Sequence, residues 1–161
     1  MATETYIPLA EVTLVATANY CDFTSISQDY SDLVLVFECE GSASNRINGY
    51  LNGSAADYRM VSVEQDGGPT SDNYTANSYF NAGVCRSGSK SINIVQLMGY
   101  SDTDKHTGIL SQESAASARL GFRVMSWANT AAVTSVSASC SNGTFDVGST
   151  FKLFGIHGEV V

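Results

Sequence analysis

Along most of the chain apolar and polar residues alternate with a period of two, and no stretch carries a 3.6-residue apolar stripe. Residues 12–17 alternate Val12, Leu14 and Ala16 with Thr13, Val15 and Thr17, and residues 21–26 follow as a second short strand. The strongest signal is Leu33-Val34-Leu35-Val36-Phe37, five apolar β-formers in a row, which predicts a central strand covered on both faces. Further strands are predicted at 46–51, 58–63, 78–84, 91–97, 106–110, 120–127, 132–138 and 150–156. Asn52-Gly53, Asp102-Thr103-Asp104-Lys105, Asn129-Thr130 and Ser141-Asn142-Gly143 supply the turns between them. Residues 66–77, polar and holding one of two prolines, read as the least structured part.

About ten short strands at this spacing predict an all-β fold: an antiparallel two-sheet β-sandwich, jelly-roll-like, rather than βαβ units. Repeats and linkers are absent from the sequence, and 161 residues supply one core but not two full-sized domains. The expected organisation is one domain, with an N-terminal arm at 1–9, a sandwich core at 10–156 and a C-terminal tail at 157–161. The first residues carry neither a positive n-region nor an apolar h-region, so a signal peptide is not expected. No apolar run approaches the ~18 residues that would predict a membrane helix.

Composition changes the picture chiefly through charge. Eight Lys and Arg against sixteen Asp and Glu leave a net charge of −8. Phosphate backbones repel such a chain unless its cations are concentrated, and here Arg46, Arg59, Arg86, Lys90, Lys105, Arg119, Arg123 and Lys152 are scattered singly. Nucleic acid is therefore not an expected partner. Charged residues are only 15% of the chain, below the ~25% of ordinary soluble domains, and Ser and Thr take their place. That balance suits secreted or virion proteins.

Catalytic chemistry finds little to work with. His157 lies beside Gly158 near the end of the chain, a frayed or interface position. Asp102, Asp104 and His106 could offer oxygen and nitrogen to a cation, but Asp at this spacing is ordinary turn chemistry. Glu38 and Glu40 are the nearest approach to the paired carboxylates a glycosidase needs, and a solvated strand end accounts for them. No G-x-S-x-G elbow occurs, and the glycines at 41 and 67–68 lack the lysine and helix of a phosphate loop. Sequons at Asn52, Asn73 and Asn142 are attributed to chance in a Ser/Thr-rich chain. No catalytic, cofactor or metal residue is assigned, and the protein is not expected to be an enzyme.

Cys21, Cys39, Cys85 and Cys140 include no C-x-x-C pair. Cys39 continues the alternation of Leu33, Leu35 and Phe37, as a buried thiol would, and a Cys21–Cys39 bridge is the alternative. Trp127 ends a strand as a packed rim residue. Tyr50, Tyr58, Tyr74 and Tyr79 are expected to be exposed, serving either a subunit interface or a sugar-stacking platform.

Residues 23–36, residues 127–136 and residues 142–156, with Arg46-Ile47-Asn48-Gly49 and the Gly99-Tyr100-Ser101 turn, carry a resemblance. Closing on Gly148-Ser149-Thr150-Phe151-Lys152-Leu153-Phe154-Gly155-Ile156, they resemble a recurrent β-sandwich domain of tailed-bacteriophage virion proteins across most of residues 10–156. The resemblance implies a structural or attachment role with no catalytic residues to carry over. A chain without a fibre shaft fits a capsid decoration (cement) protein, made in the bacterial cytoplasm and seated on the capsid exterior. Its implied partner is the major capsid protein, its implied state a homotrimer. Tyr6, Ile7, Pro8 and Leu9 are the candidate docking residues, or else cover the domain's own sandwich. The alternative is a tail-associated host-recognition or carbohydrate-binding module, for which glycan would be the partner.

Overall fold

The computed structural model describes residues 4–65, 69–116 and 119–158. All regular structure among them is strand: β1 (Tyr6–Thr13), β2 (Tyr20–Phe23), β3 (Asp32–Cys39), β4 (Asn45–Leu51), β5 (Tyr58–Gln65) and β6 (Pro69–Asn77), then β7 (Phe80–Cys85), β8 (Ser91–Met98), β9 (Thr107–Ala115), β10 (Arg119–Trp127), β11 (Val136–Cys140) and β12 (Thr150–Ile156). They form an eight-stranded sheet in the order β1-β12-β3-β8-β9-β10-β5-β6 and a four-stranded sheet in the order β2-β11-β4-β7. Every pairing is antiparallel. The antiparallel two-sheet sandwich that the turn spacing predicts is the observed architecture.

The core lies between the sheets. Leu33, Leu35 and Phe37 of β3, Val95 and Leu97 of β8, Met125 and Trp127 of β10, and Phe151 and Leu153 of β12 face Phe23, Ile47, Leu51, Phe80 and Val136 of the small sheet. Asn93 of β8 ties the layers together. Its amide oxygen accepts from the Val84 N–H at 2.8 Å, and its amide nitrogen donates to the Val84 carbonyl at 3.0 Å. The β7 backbone comes this close because Gly83, at φ 134°, has no Cβ; one placed there would overlap the Asn93 side chain.

Four expectations are corrected. Residues 66–77 are not one loop: β6 pairs with β5 from Gln65↔Pro69 onward, while 66–68 lie outside the described residues. Proline is tolerated because it opens an edge strand, where its missing N–H interrupts no ladder. Tyr6 to Leu9 are no separate arm but the first half of β1, paired with β12, and Leu9 packs against the core. Pro8 and the adjoining bulge blunt this sheet edge. Tyr58 is fully buried. Its hydroxyl accepts from the Leu51 N–H at 2.8 Å and donates to the Ser54 carbonyl at 3.3 Å, and its ring lies 6.5 Å from Trp127, stacked. Finally, the second face of β3 is covered only in part: Leu33, Leu35, Phe37 and Cys39 point into the core, while on the other side Val34 is buried and Val36 half-buried.

Candidate functional site

Three adjacent strands of the large sheet run with inverted polarity. In β5, β9 and β10 the inward residues include Glu64, Glu113, Arg119 and Arg123, all buried. Gly121 stands directly between Glu64 and Glu113 in register, with Arg119 and Arg123 two residues to either side on the same face. Each carboxylate therefore reaches both guanidiniums. Arg119 donates to Glu113 at 2.8 Å and to Glu64 at 2.7 Å; Arg123 donates to Glu113 at 2.9 Å and to Glu64 at 2.6 Å. A Cβ at position 121 would lie 2.7 Å from a Glu113 carboxylate oxygen, so glycine leaves the space that the square fills. Arg46, at the rim, adds a looser contact to Glu64 at 3.8 Å. Cations scattered in the sequence are thus gathered by the fold, but around buried carboxylates rather than on an open basic patch.

The opposite face of the same strands is apolar and open. Val61 and Val63 on β5, Leu120, Phe122 and Val124 on β10, and Ile92 and Ile94 on β8 are between 39% and 59% exposed. They lie in cross-strand rows, each interrupted by one glutamine. Val63 faces Phe122, Phe122 faces Gln112, Gln112 faces Ile94, and Ile94 faces Val36. In the next row Val61 faces Val124, Val124 faces Leu110, Leu110 faces Gln96, and Gln96 faces Val34. No charged side chain points outward from β8, β9 or β10. A shallow groove of about 520 Å³ runs between Val63, Ile92, Ile94, Leu120 and Phe122. On the far side the face is bordered by two ion pairs, Lys90–Glu38 at 2.7 Å and Lys152–Glu11 at 3.3 Å. An apolar centre with a charged rim is the anatomy of a protein-binding surface.

The residues singled out in the sequence disperse. Glu38 is committed to Lys90, whose hydrogen bond and charge hold its carboxyl below the usual range. Asp102 accepts from the Asp104 N–H at 2.8 Å and pairs with Lys105 at 3.0 Å; these bonds lower its pKa and use its oxygens within the turn. Among the described residues no three His, Cys, Asp or Glu side chains gather as metal ligands. His157 packs against Tyr30, ring centroids 5.1 Å apart. Asn52 spends its side chain on a clamp, accepting from the Thr134 and Ser135 N–H groups at 2.8 and 3.1 Å. Trp127 and Tyr58, the aromatics best suited to stack on sugar, are interior. Tyr50 and Tyr79 are half-buried, and the Tyr74 side chain lies outside the described residues.

All four cysteines are buried and free. Burial pushes the Cys39 thiol up to about 12, and burial together with Asp22 does the same for Cys21. No bond joins Cys21 to Cys39; the two thiols that meet are Cys85 and Cys140, with sulfurs 2.6 Å apart.

No family model and no curated protein matches the chain. Among solved structures, the crystal structure of galectin LEC-6 from Caenorhabditis elegans aligns over 92% of this chain and 96% of that one, at 11% identity and a TM-score of 0.33. No helix among the described residues is long and apolar enough to cross a membrane.

Proposed function

We propose that this chain is a structural protein of a bacteriophage virion, a decoration protein that seats on the outer face of the major capsid protein lattice. The observation that carries this reading is the open apolar face of the large sheet. Four strands from β5 to β8, at ~4.8 Å spacing, by about three same-face rows at ~6.8 Å, give roughly 400 Å² per partner. Two partners together then bury about 800 Å², the size of a weak contact rather than of a stable pairwise interface. With no outward charge on β8, β9 or β10, the face selects an apolar protein surface over a polyanion or a sugar. Its modest size suits a protein docked in many copies, where rigid neighbours share the load. The −8 charge over the remaining surface keeps crowded copies apart.

The test is to reconstruct virions carrying the protein by electron microscopy and to repeat the binding with Phe122→Glu. Hundreds of copies per particle, with β10 against the shell and binding by the variant reduced at least tenfold, support the reading. A handful of copies on the tail, or a variant that binds as well as the parent, overturns it.

A further inference from the structure

We propose that Cys85 and Cys140 are a redox pair that closes to an intrachain disulfide on contact with a hydroperoxide. β7 and β11 flank β4 in the small sheet, and their C-terminal residues Cys85 and Cys140 bring their sulfurs to 2.6 Å over it. Neither Cys21 nor Cys39 has such a partner: Cys39 Sγ lies 3.6 Å from the Ser91 hydroxyl and 3.6 Å from the Asn93 amide nitrogen.

The two members differ in a way that assigns their roles. Cys140 is at the rim, 8% exposed, whereas Cys85 is fully enclosed. Hydrogen bonding from the Cys85 thiol lowers the Cys140 pKa, and the same bond raises that of Cys85. The Cys140 thiolate attacks one peroxide oxygen, the O–O bond breaks, and hydroxide leaves, giving a sulfenic acid. Cys85 then attacks the Cys140 sulfur, and the sulfenic oxygen departs as water with the Cys85 proton. Two electrons leave the pair and one peroxide is reduced.

The bond would fasten more than two strands. Cys85 Sγ also lies 3.7 Å from the Asn45 carbonyl oxygen, and the Asn45 side-chain amide donates to the Asn142 carbonyl beyond Cys140. One end of the small sheet, with the loops before β4 and after β11, would be closed by a single covalent link.

The experiment uses the full chain, freed of reductant and treated with stoichiometric hydrogen peroxide, then alkylated and digested without reduction. The expected peptide map links Cys85 to Cys140 and leaves Cys21 and Cys39 alkylated, so reactive thiols in denaturant fall from four to two. The oxidised protein should melt roughly 5–15 °C higher, a gain that dithiothreitol reverses and Cys85→Ser abolishes. Four alkylatable thiols, a link to Cys39 or Cys21, an intermolecular link, or Cys140 carried to sulfinic acid with Cys85 free would each overturn the proposal. Should Cys85→Ser fail to fold, the parent's peptide map decides alone.

Discussion

Arg123 is the residue at which burial and charge are most sharply opposed: fully enclosed, with donors to both Glu64 and Glu113. Substituting Arg123→Met leaves the two buried carboxylates to Arg119 and the looser rim contact of Arg46, and the expected loss is about 3–5 kcal/mol in urea unfolding. Gly121→Ala should also destabilise, because its methyl enters the same square. Alkaline pH tests the buried acids. Burial raises Cys21, Cys39 and Tyr58 to about 12 in the folded protein, from ordinary values of 9.0 for the thiols and 10.0 for the phenol. The unfolded chain therefore sheds protons from about pH 9 upward that the folded chain retains, so stability present below pH 9 should decline steadily toward pH 12. Urea midpoints measured from pH 8 to 11 should fall, and less steeply in Tyr58→Phe. A flat profile would contradict the burial of these groups. Burial of Cys39 was legible in its alternation with Leu33, Leu35 and Phe37, but the square was not: Arg119 and Arg123 read as singly scattered cations, and only spatial register brings them to Glu64 and Glu113.

At the scale of elements, period-two alternation located most strands, and turn chemistry at Asn52-Gly53 and Asp102–Lys105 separated them correctly. Two failures have physical causes. Pro69 masked β6 because proline reads as a breaker, whereas an edge strand can begin with it. In β5 and β10 both phases of the alternation are apolar, Val61 and Val63 against Tyr58 and Met60, so hydrophobicity could not say which face turns inward. The structure gives that question an experimental form. Val63→Lys on the open face should change stability by no more than about 0.5 kcal/mol by thermal melting. Met60→Lys, one pleat away and pointing into the core, should unfold the protein. Equal effects of the two would refute the assigned facing.

For the whole molecule, the unequal sheets place a covered core on one side of the large sheet and an uncovered apolar face on the other. The candidate interaction surface was half legible: the Leu33–Phe37 run signalled a strand apolar on both faces, but the sequence could not say that the same sheet is most open further along, at β8, β10 and β5. Tyr6–Leu9, expected as an arm, begin the edge strand β1, where Tyr6 stays exposed as a second candidate docking region; the broader apolar surface lies across β8, β9, β10 and β5. A particle-binding comparison between Phe122→Glu and Tyr6→Glu separates the two regions, and the larger loss is expected from Phe122.

The arginine–glutamate square has a consequence for parity. If β10 slipped by one residue against β5 and β9, Leu120, Phe122 and Val124 would turn inward and hydrocarbon would still be interred. That isomer is barred because an odd slip separates all four ionic partners and expels Trp127. Internal charge thus dictates which side is in, a task most proteins leave to greasiness. Released from that duty, the outer side chains can be exchanged while the instructions for folding stay untouched.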